Sequence, residues 1–182
     1  RNFINMVGDI LDNEKILKGK MLYNHDKIVN IPSIVLEKIE LFKGIIEEKE
    51  IHLTTSIEPD LYTRISPDAL DRILNNILDK AITYNVPKDG EIHVTLKEDN
   101  NSVILNIWDT GIGIPADQIG HIFKPYYQSA QNKKNIQGIG AGLPIVKNIL
   151  NEVNGRINIE SKKGKGSSVI ITFCRKIIKE DK

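Results

Sequence analysis

Two apolar, alternating runs, Glu91–Asp99 (EIHVTLKED) and Ser102–Asp109 (SVILNIWD), stand on either side of the polar turn Asp99-Asn100-Asn101. Runs this close read as paired strands. Around this hairpin the period changes to that of a helix. Between Ser66, a suitable cap, and Tyr84, the residues Leu70, Ile73, Leu74, Ile77, Leu78, Ala81 and Ile82 make one apolar stripe behind Pro67, which suits the first helical position. Ile34, Val35, Ile39, Phe42, Ile45 and Ile46 form a similar stripe after Pro32, and Val146, Ile149, Leu150 and Val153 form another, closed by Gly155. IHLTTSIE and LYTRI alternate like strands with Glu58-Pro59-Asp60 as the turn between them, and RINIES and SSVIITFC make a last hairpin across KKGKG. Adjacent strands with interspersed one-sided helices predict an α+β fold, a two-layer α/β sandwich with one mixed sheet and helices on one face. Ahead of it, Phe3, Ile10 and Leu17 recur every seventh residue with Met6 and Val7 between them, the pattern of a partner-seeking helix that Gly19 can end.

The bulk chemistry excludes several classes. A net charge of +1 and an aromatic content of 5% argue against a nucleic-acid binder. One cysteine, Cys174, forbids an internal disulfide or a multi-cysteine metal site, and His25, His52, His93 and His121 lack ligand spacing. No apolar run is long enough to span a bilayer. The chain opens mid-pattern without Met and reads as a piece of a longer protein.

Periodicity stops between Thr110 and Ala141, and a loop of about 30 residues inside a compact domain is often functional. DTGIGIP (Asp109–Pro115) ends a buried strand on a carboxylate that needs a donor, which a purine amine would supply, and Gly111 and Gly113 would let the backbone pass close to a flat ligand. A structural turn is the plainer explanation for an isolated acid–glycine turn. GIGAGLPIVKNIL (Gly138–Leu150) runs alternating glycines into a helix start, where free amides and the helix dipole favour phosphate. It has neither the Rossmann spacing nor the Gly-Lys-Ser/Thr of a P-loop. On the Ser66–Tyr84 helix, Asn76, Asp79, Lys80 and Thr83 form a polar stripe, which in isolation would be a solvated face.

Taken in order, these segments resemble the ATP-binding domain of sensor histidine kinases, a Bergerat-fold (GHKL) ATPase group that also includes chaperone, gyrase and mismatch-repair ATPases. LDRILNNILDKAITYN resembles the asparagine box, DTGIGIP the first glycine box, IFKPYY the aromatic box of a long ATP lid, GIGAGLPIVK the second glycine box, and GKGSSVIITF the final hairpin. The resemblance implies that Asp109 accepts from the adenine amine while Gly111 and Gly113 flank the base and Ser167 supports the pocket. It implies that Asn76 faces the phosphates and helps hold Mg2+, and that Tyr84 packs by the nucleotide or reaches a phosphate. Gly138, Gly140, Gly142 and Leu143 would offer amides to the phosphates, and Phe123 and Tyr126 would anchor the lid, with ordinary loop packing equally open for those two. Residues 1–20 resemble the end of a dimerisation helix, 21–176 the catalytic domain, and 177–182 a tail or linker.

One position departs from the pattern. Where the family's asparagine box places a second Asn, a Mg2+ ligand, this chain has Lys80, whose ammonium donates only and repels a cation. Lys80 could replace part of the metal's charge at the phosphates, turn away and leave the metal to Asn76, or signal a weakened enzyme. The resemblance thus implies a protein-histidine kinase that positions ATP, with Asn76 and Lys80 as its catalytic candidates. The phosphoacceptor histidine is expected upstream of Arg1 on a dimerisation helix of the same protein, so that this chain alone would not autophosphorylate. A homodimer, a response-regulator receiver domain as partner, and a cytoplasmic position in a membrane-bound sensor complete the expectation. The competing readings are a degenerate nucleotide-responsive interaction module or phosphatase-biased kinase, which Lys80 favours, and a serine kinase of the same fold, which the opening helix disfavours.

Overall fold

The computed structural model describes residues 3–18, 20, 22–128 and 140–176. Among these the elements run α1 (Phe3–Leu17), β1 (Ile28–Asn30), α2 (Ile31–Glu48), β2 (His52–Ile57), β3 (Tyr62–Arg64), α3 (Pro67–Thr83), β4 (Glu91–Asp99), β5 (Ser102–Asp109), α4 (Ala116–Ile119), α5 (Gly142–Glu152), β6 (Arg156–Ser161) and β7 (Ser167–Cys174). The main sheet has the order β2-β4-β5-β7-β6. Strands β4, β5, β7 and β6 pair antiparallel, and β2 joins β4 in parallel. This is the expected mixed, mostly antiparallel sheet against a helical layer.

The two runs around Glu58-Pro59-Asp60 form strands but do not pair with each other. Asp60 takes a left-handed conformation (φ 56). β3 then pairs with β1 in a separate two-stranded sheet, while β2 pairs with β4 across the crossover that α3 supplies. A parallel partner requires such a crossover, and the helical segment following β3 provides it. The small sheet is tied to the large one by the Lys176 amide, which donates to Tyr62 O at 2.8 Å.

The core lies between the sheet and the helices α2, α3 and α5. Phe173, Leu105 and Ile107 from the sheet and Ile73, Leu74 and Ile77 from α3 are each no more than 1% exposed. Truncating one such leucine or isoleucine to alanine costs about 2–5 kcal/mol. The stripe read on α3 is the buried one: Leu70, Ile73, Leu74, Ile77, Leu78, Ala81 and Ile82 all face inward.

Two helix ends differ from their reading in the sequence. Ser66 occupies the N-cap position of α3, but its side chain makes no cap bond there. Its amide instead donates to His25 Nδ1 at 3.1 Å. At the end of α5 the left-handed residue is Asn154 (φ 54), not Gly155. The amides of Asn154 and Gly155 bond back to Asn151 O (3.3 Å) and Leu150 O (2.7 Å), a Schellman closure. Gly155 is closely fitted, since a Cβ there would lie 3.0 Å from both Thr172 O and Leu150 Cδ2.

On α1, Asn13 is fully buried, whereas Val7, Ile10, Leu11 and Leu17 are exposed. Ile10 and Leu17 of the heptad pattern therefore face away from the domain. Gly19, expected to end this helix, lies outside the described residues.

Candidate functional site

The strand period places the first functional side chain. Along β5 burial alternates, so Val103, Leu105, Ile107 and Asp109 share the inward face. Asp109 is thereby buried at 8% exposure at the last position of the strand. Its Oδ1 accepts from the Gly111 amide at 2.8 Å, and the Ser167 amide, opposite in the β5–β7 register, also reaches the carboxylate. A carboxylate offers about four lone-pair sites, so acceptor capacity remains after these two donors. Burial raises the pKa of Asp109 from 3.8 to about 6, against the opposing pull of the Gly111 and Ser167 amides. The group is a buried acceptor, ionised at neutral pH.

The loop after Asp109 is held by main chain. Ile112 N donates to Tyr84 O at 3.0 Å, and a Cβ on Gly111 would overlap that same carbonyl. Gly113 has φ +63 and sits against Lys162 O. Gly164 N donates to Ile112 O at 2.7 Å, which brings the β6–β7 turn onto the loop. Ser161 Oγ accepts from Ile114 N (2.8 Å), donates to Gly166 O (2.8 Å) and meets Ser167 Oγ at 2.9 Å. Gly166 (φ +83) leaves no room for a Cβ beside Asp109 O. The resemblance implied that Ser167 supports the pocket and included Gly164 and Gly166 in the motif GKGSSVIITF without giving them a role; Ser161 was not singled out. Nor was Asn85. The Oδ1 of Asn85 accepts from Val86 N (2.9 Å) and Thr110 Oγ1 (3.1 Å), and its Nδ2 donates to Glu91 O (3.1 Å), joining the end of α3 to the end of β5.

The second half of the site is where α3 meets the start of α5. Asn76 is 3% exposed, its Nδ2 donates to Arg72 O at 2.9 Å, and its Oδ1 is buried without a hydrogen-bond partner. That oxygen faces Gly142, the first residue of α5, so closely that a Cβ there would overlap it, and Lys80 Cε would lie 3.7 Å from that Cβ. An orphaned buried acceptor costs about 1–3 kcal/mol, and a water, a donor or a cation can satisfy this one. Asn76, Asp79, Lys80 and Thr83 are buried or half-buried, so this stripe is not a solvated face. The amides of Gly142 and Leu143 precede the first intrahelical bond, from Ile145 N to Ala141 O at 3.2 Å, and Pro144 has no amide hydrogen.

Tyr84 caps α3, donating its amide to Lys80 O at 2.9 Å, and contributes its carbonyl to the glycine loop. Tyr126 has φ 62 and donates its amide to Gly140 O at 3.1 Å, so the two ends of the intervening segment meet. Gly138 lies outside the described residues. Lys147 of α5 stands 5.2 Å above the Phe123 ring. The C-terminal half of α3 is thus the shared wall of the site: Asn76 touches the start of α5, and Tyr84 touches the loop after Asp109.

This combination of a buried strand-end acid, glycine loops and an asparagine facing a helix start coincides with a family match. Residues 65–177 match the family described as histidine kinase-, DNA gyrase B-, and HSP90-like ATPase. The chain belongs to this ATPase family. Its similarity to curated proteins includes the autoinducer 2 sensor kinase/phosphatase LuxQ of Vibrio parahaemolyticus, 30% identical over 92% of this chain and 20% of that protein. It also includes the sensor histidine kinase YclK of Bacillus subtilis, 30% identical over 94% of this chain and 36% of that protein. The chain therefore spans a fifth to about a third of the length of these relatives. Among solved structures, the mycobacterial sensor histidine kinase MprB superposes with a TM-score of 0.72 at 22% identity, covering 84% of this chain and 100% of that one. Full-length ShkA in complex with AMPPNP superposes with a TM-score of 0.79 at 20% identity, covering 96% of this chain and 36% of that one. The fold is that of histidine kinase catalytic domains, and ATP is the ligand of the family.

Among the described residues no cluster of three or more His, Cys, Asp or Glu could hold a metal ion, and no helix is long and apolar enough to cross a membrane. Asn76 Oδ1 is suited to be one Mg2+ ligand, and Lys80 is not a second. Mg2+ commonly keeps several waters and phosphate oxygens with only one or two protein ligands, so a single amide oxygen is compatible with it.

Proposed function

We propose that this chain is the catalytic domain of a two-component sensor histidine kinase, binding ATP and presenting its γ-phosphate to a histidine on a dimerisation helix of the same protein. The observation that carries the reading is Asp109: a buried carboxylate, held by two amides, with acceptor capacity left over. In this reading Asp109 takes the adenine amine, Gly111 and Gly113 let the backbone lie against the base, and Ser167 holds the carboxylate in place. Asn76, Lys80 and the Gly140–Leu143 segment with Gly138 attend the phosphates. Tyr84, Phe123 and Tyr126 border the nucleotide and the lid. Phosphoryl transfer asks mainly for positioning and charge stabilisation, and the residues named supply both. Mg2+, when bound, would neutralise phosphate charge with Asn76 as its protein ligand.

The wider assignments belong to the same proposal. Residues 1–20 would end the dimerisation helix and 177–182 would begin a tail. The whole protein would be a homodimer acting on a receiver domain, with this domain on the cytoplasmic side of a membrane-bound sensor. His25 is an unsuitable nucleophile, since both ring nitrogens are engaged and the side chain is 7% exposed. Incubation of the chain with labelled ATP is expected to leave no acid-labile label; label on His25 would refute this.

Calorimetric titration with ADP and ATP, with and without Mg2+, tests the reading. Binding of both nucleotides, lost in Asp109→Asn, is expected. Lys80 supports a second element: its ammonium supplies charge that the metal supplies elsewhere, so Mg2+ dependence is weakened. Lys80→Asn should increase the Mg2+ enhancement of ATP affinity; a large enhancement that is the same in both proteins would remove the idea.

A further inference from the structure

The segment after α1 is fastened to the two helices that flank the phosphate end of the site. Glu152, the last residue of α5, accepts at Oε1 from the Leu22 amide (3.0 Å) and Asn148 Nδ2 (2.7 Å), and its Oε2 lies 2.8 Å from His25 Nε2. The two side chains of the pair are 7% and 9% exposed. On its other side, His25 receives the Ser66 amide at Nδ1. A backbone amide only donates, so Nδ1 carries no proton and Nε2–H points to Glu152. The imidazole is therefore an oriented strut from the N-cap of α3 to the last residue of α5.

Those same two helices meet at Asn76 and Gly142, where a Cβ does not fit between them. A second tie runs from α1 to the same place. Asn13 is fully buried, Asp12 Oδ2 lies 3.5 Å from Arg72 Nη2, and Arg72 O holds the Asn76 amide. The adenine end, Asp109 with Gly111 and Ser167, is built on β5 and β7; it meets α3 through Tyr84 O, at the far end of that helix from Ser66, and shares none of the bonds made by His25, Glu152 and Asp12.

We propose that His25 and Glu152 are positioning residues that transmit the placement of the segment following α1 to the phosphate end of the site, leaving the adenine end alone. The proposal rests on the nucleotide reading above. Moving the segment shifts α5 relative to α3, and the close Asn76–Gly142 approach tolerates little shift before the amides of Gly142 and Leu143 change aim. In the whole protein, signal-driven displacement of α1 would then alter phosphate placement without releasing the base.

The test compares Mg2+–ATP with adenosine in titrations of the 182-residue chain and four variants. Glu152→Ala and His25→Ala are expected to weaken ATP on the order of 5- to 10-fold while adenosine affinity stays constant, the range of a typical coupling between sites. Hydrogen exchange at the Leu22 and Ser66 amides is expected to accelerate in Glu152→Ala and His25→Ala respectively. His25→Gln, whose amide can accept from Ser66 N and donate to Glu152, is expected to recover most of the ATP affinity, whereas Glu152→Gln, which keeps one acceptor oxygen but sets an NH2 against another donor, is expected to recover only part of it; both also serve if an alanine variant fails to fold. A loss shared equally by ATP and adenosine, or an ATP-to-adenosine ratio at the wild-type value in all variants, overturns the proposal. A wild-type chain that binds neither ligand defeats the functional reading itself, and the inference with it.

Discussion

Asp109→Asn is expected to abolish nucleotide binding and, at neutral pH, to make the ligand-free domain more stable. Burial has raised the Asp109 pKa from 3.8 to about 6. In the unfolded chain the carboxyl ionises near 3.8; in the fold it holds its proton up to about pH 6. Between those values the native state binds more protons, so the contribution is fully present below pH 3.8 and is lost as pH rises through 6. At about 1.36 kcal/mol per tenfold in proton affinity, the loss amounts to roughly 3 kcal/mol. Asparagine keeps an oxygen for the Gly111 amide but gives up the second acceptor, at a cost of about 1 kcal/mol. The stability difference between variant and wild type should therefore grow by roughly 3 kcal/mol from pH 3.5 to pH 8. At pH 8 the variant should be ahead by about 2 kcal/mol, a shift in Tm of several degrees for a domain of this size. Urea denaturation of both proteins across this range measures it. In wild type, nucleotide affinity should fall about tenfold between pH 7 and pH 5, since the protonated carboxyl loses acceptor capacity. A stability difference that is flat with pH, or nucleotide affinity in Asp109→Asn equal to wild type, would refute the burial argument and the site with it.

Two glycine substitutions separate the ends of the site. Gly166→Ala puts a methyl group onto Asp109 O at a backbone with φ +83, and should cost on the order of 2–4 kcal/mol, read as a drop in Tm. It should also weaken adenosine and ATP alike. Gly142→Ala collides instead with Asn76 Oδ1; calorimetry should show ATP weakened on the order of tenfold or more, with adenosine within about twofold. Equal effects on both ligands in Gly142→Ala would contradict the division into adenine and phosphate ends.

The sequence was most informative where one segment carries its own constraint. The β4–β5 hairpin, the α3 stripe and the amphipathic start of α5 follow from periods of 2 and 3.6 with suitable turn residues. Asp109 stood out because a charge ends the strand's apolar alternation, and Gly142 because glycines border a helix start, whereas Asn76 was singled out by the family resemblance and not by its period. Pairings over long separations were not legible in this way. Nothing local to residues 51–65 says that β2 joins β4 and β3 joins β1, since each is a short run with several possible partners. Ser66 has the composition of a cap, yet its amide is taken by His25, 41 positions earlier.

By itself, the sequence determined the element types, the layering of a sheet against helices, and the chemical character of the two ends of the site. A strand's alternation dictates that residue 109 turns inward with Val103, Leu105 and Ile107, wherever that strand is placed. Only the tertiary structure decided that Gly142 stops against Asn76, that the Ser161–Ser167 hydroxyl pair and the β6–β7 turn brace the glycine loop, and that Glu152 clasps His25. These contacts join residues from separate elements, and hydrogen bonds and close packing depend on positions in space that no local period encodes.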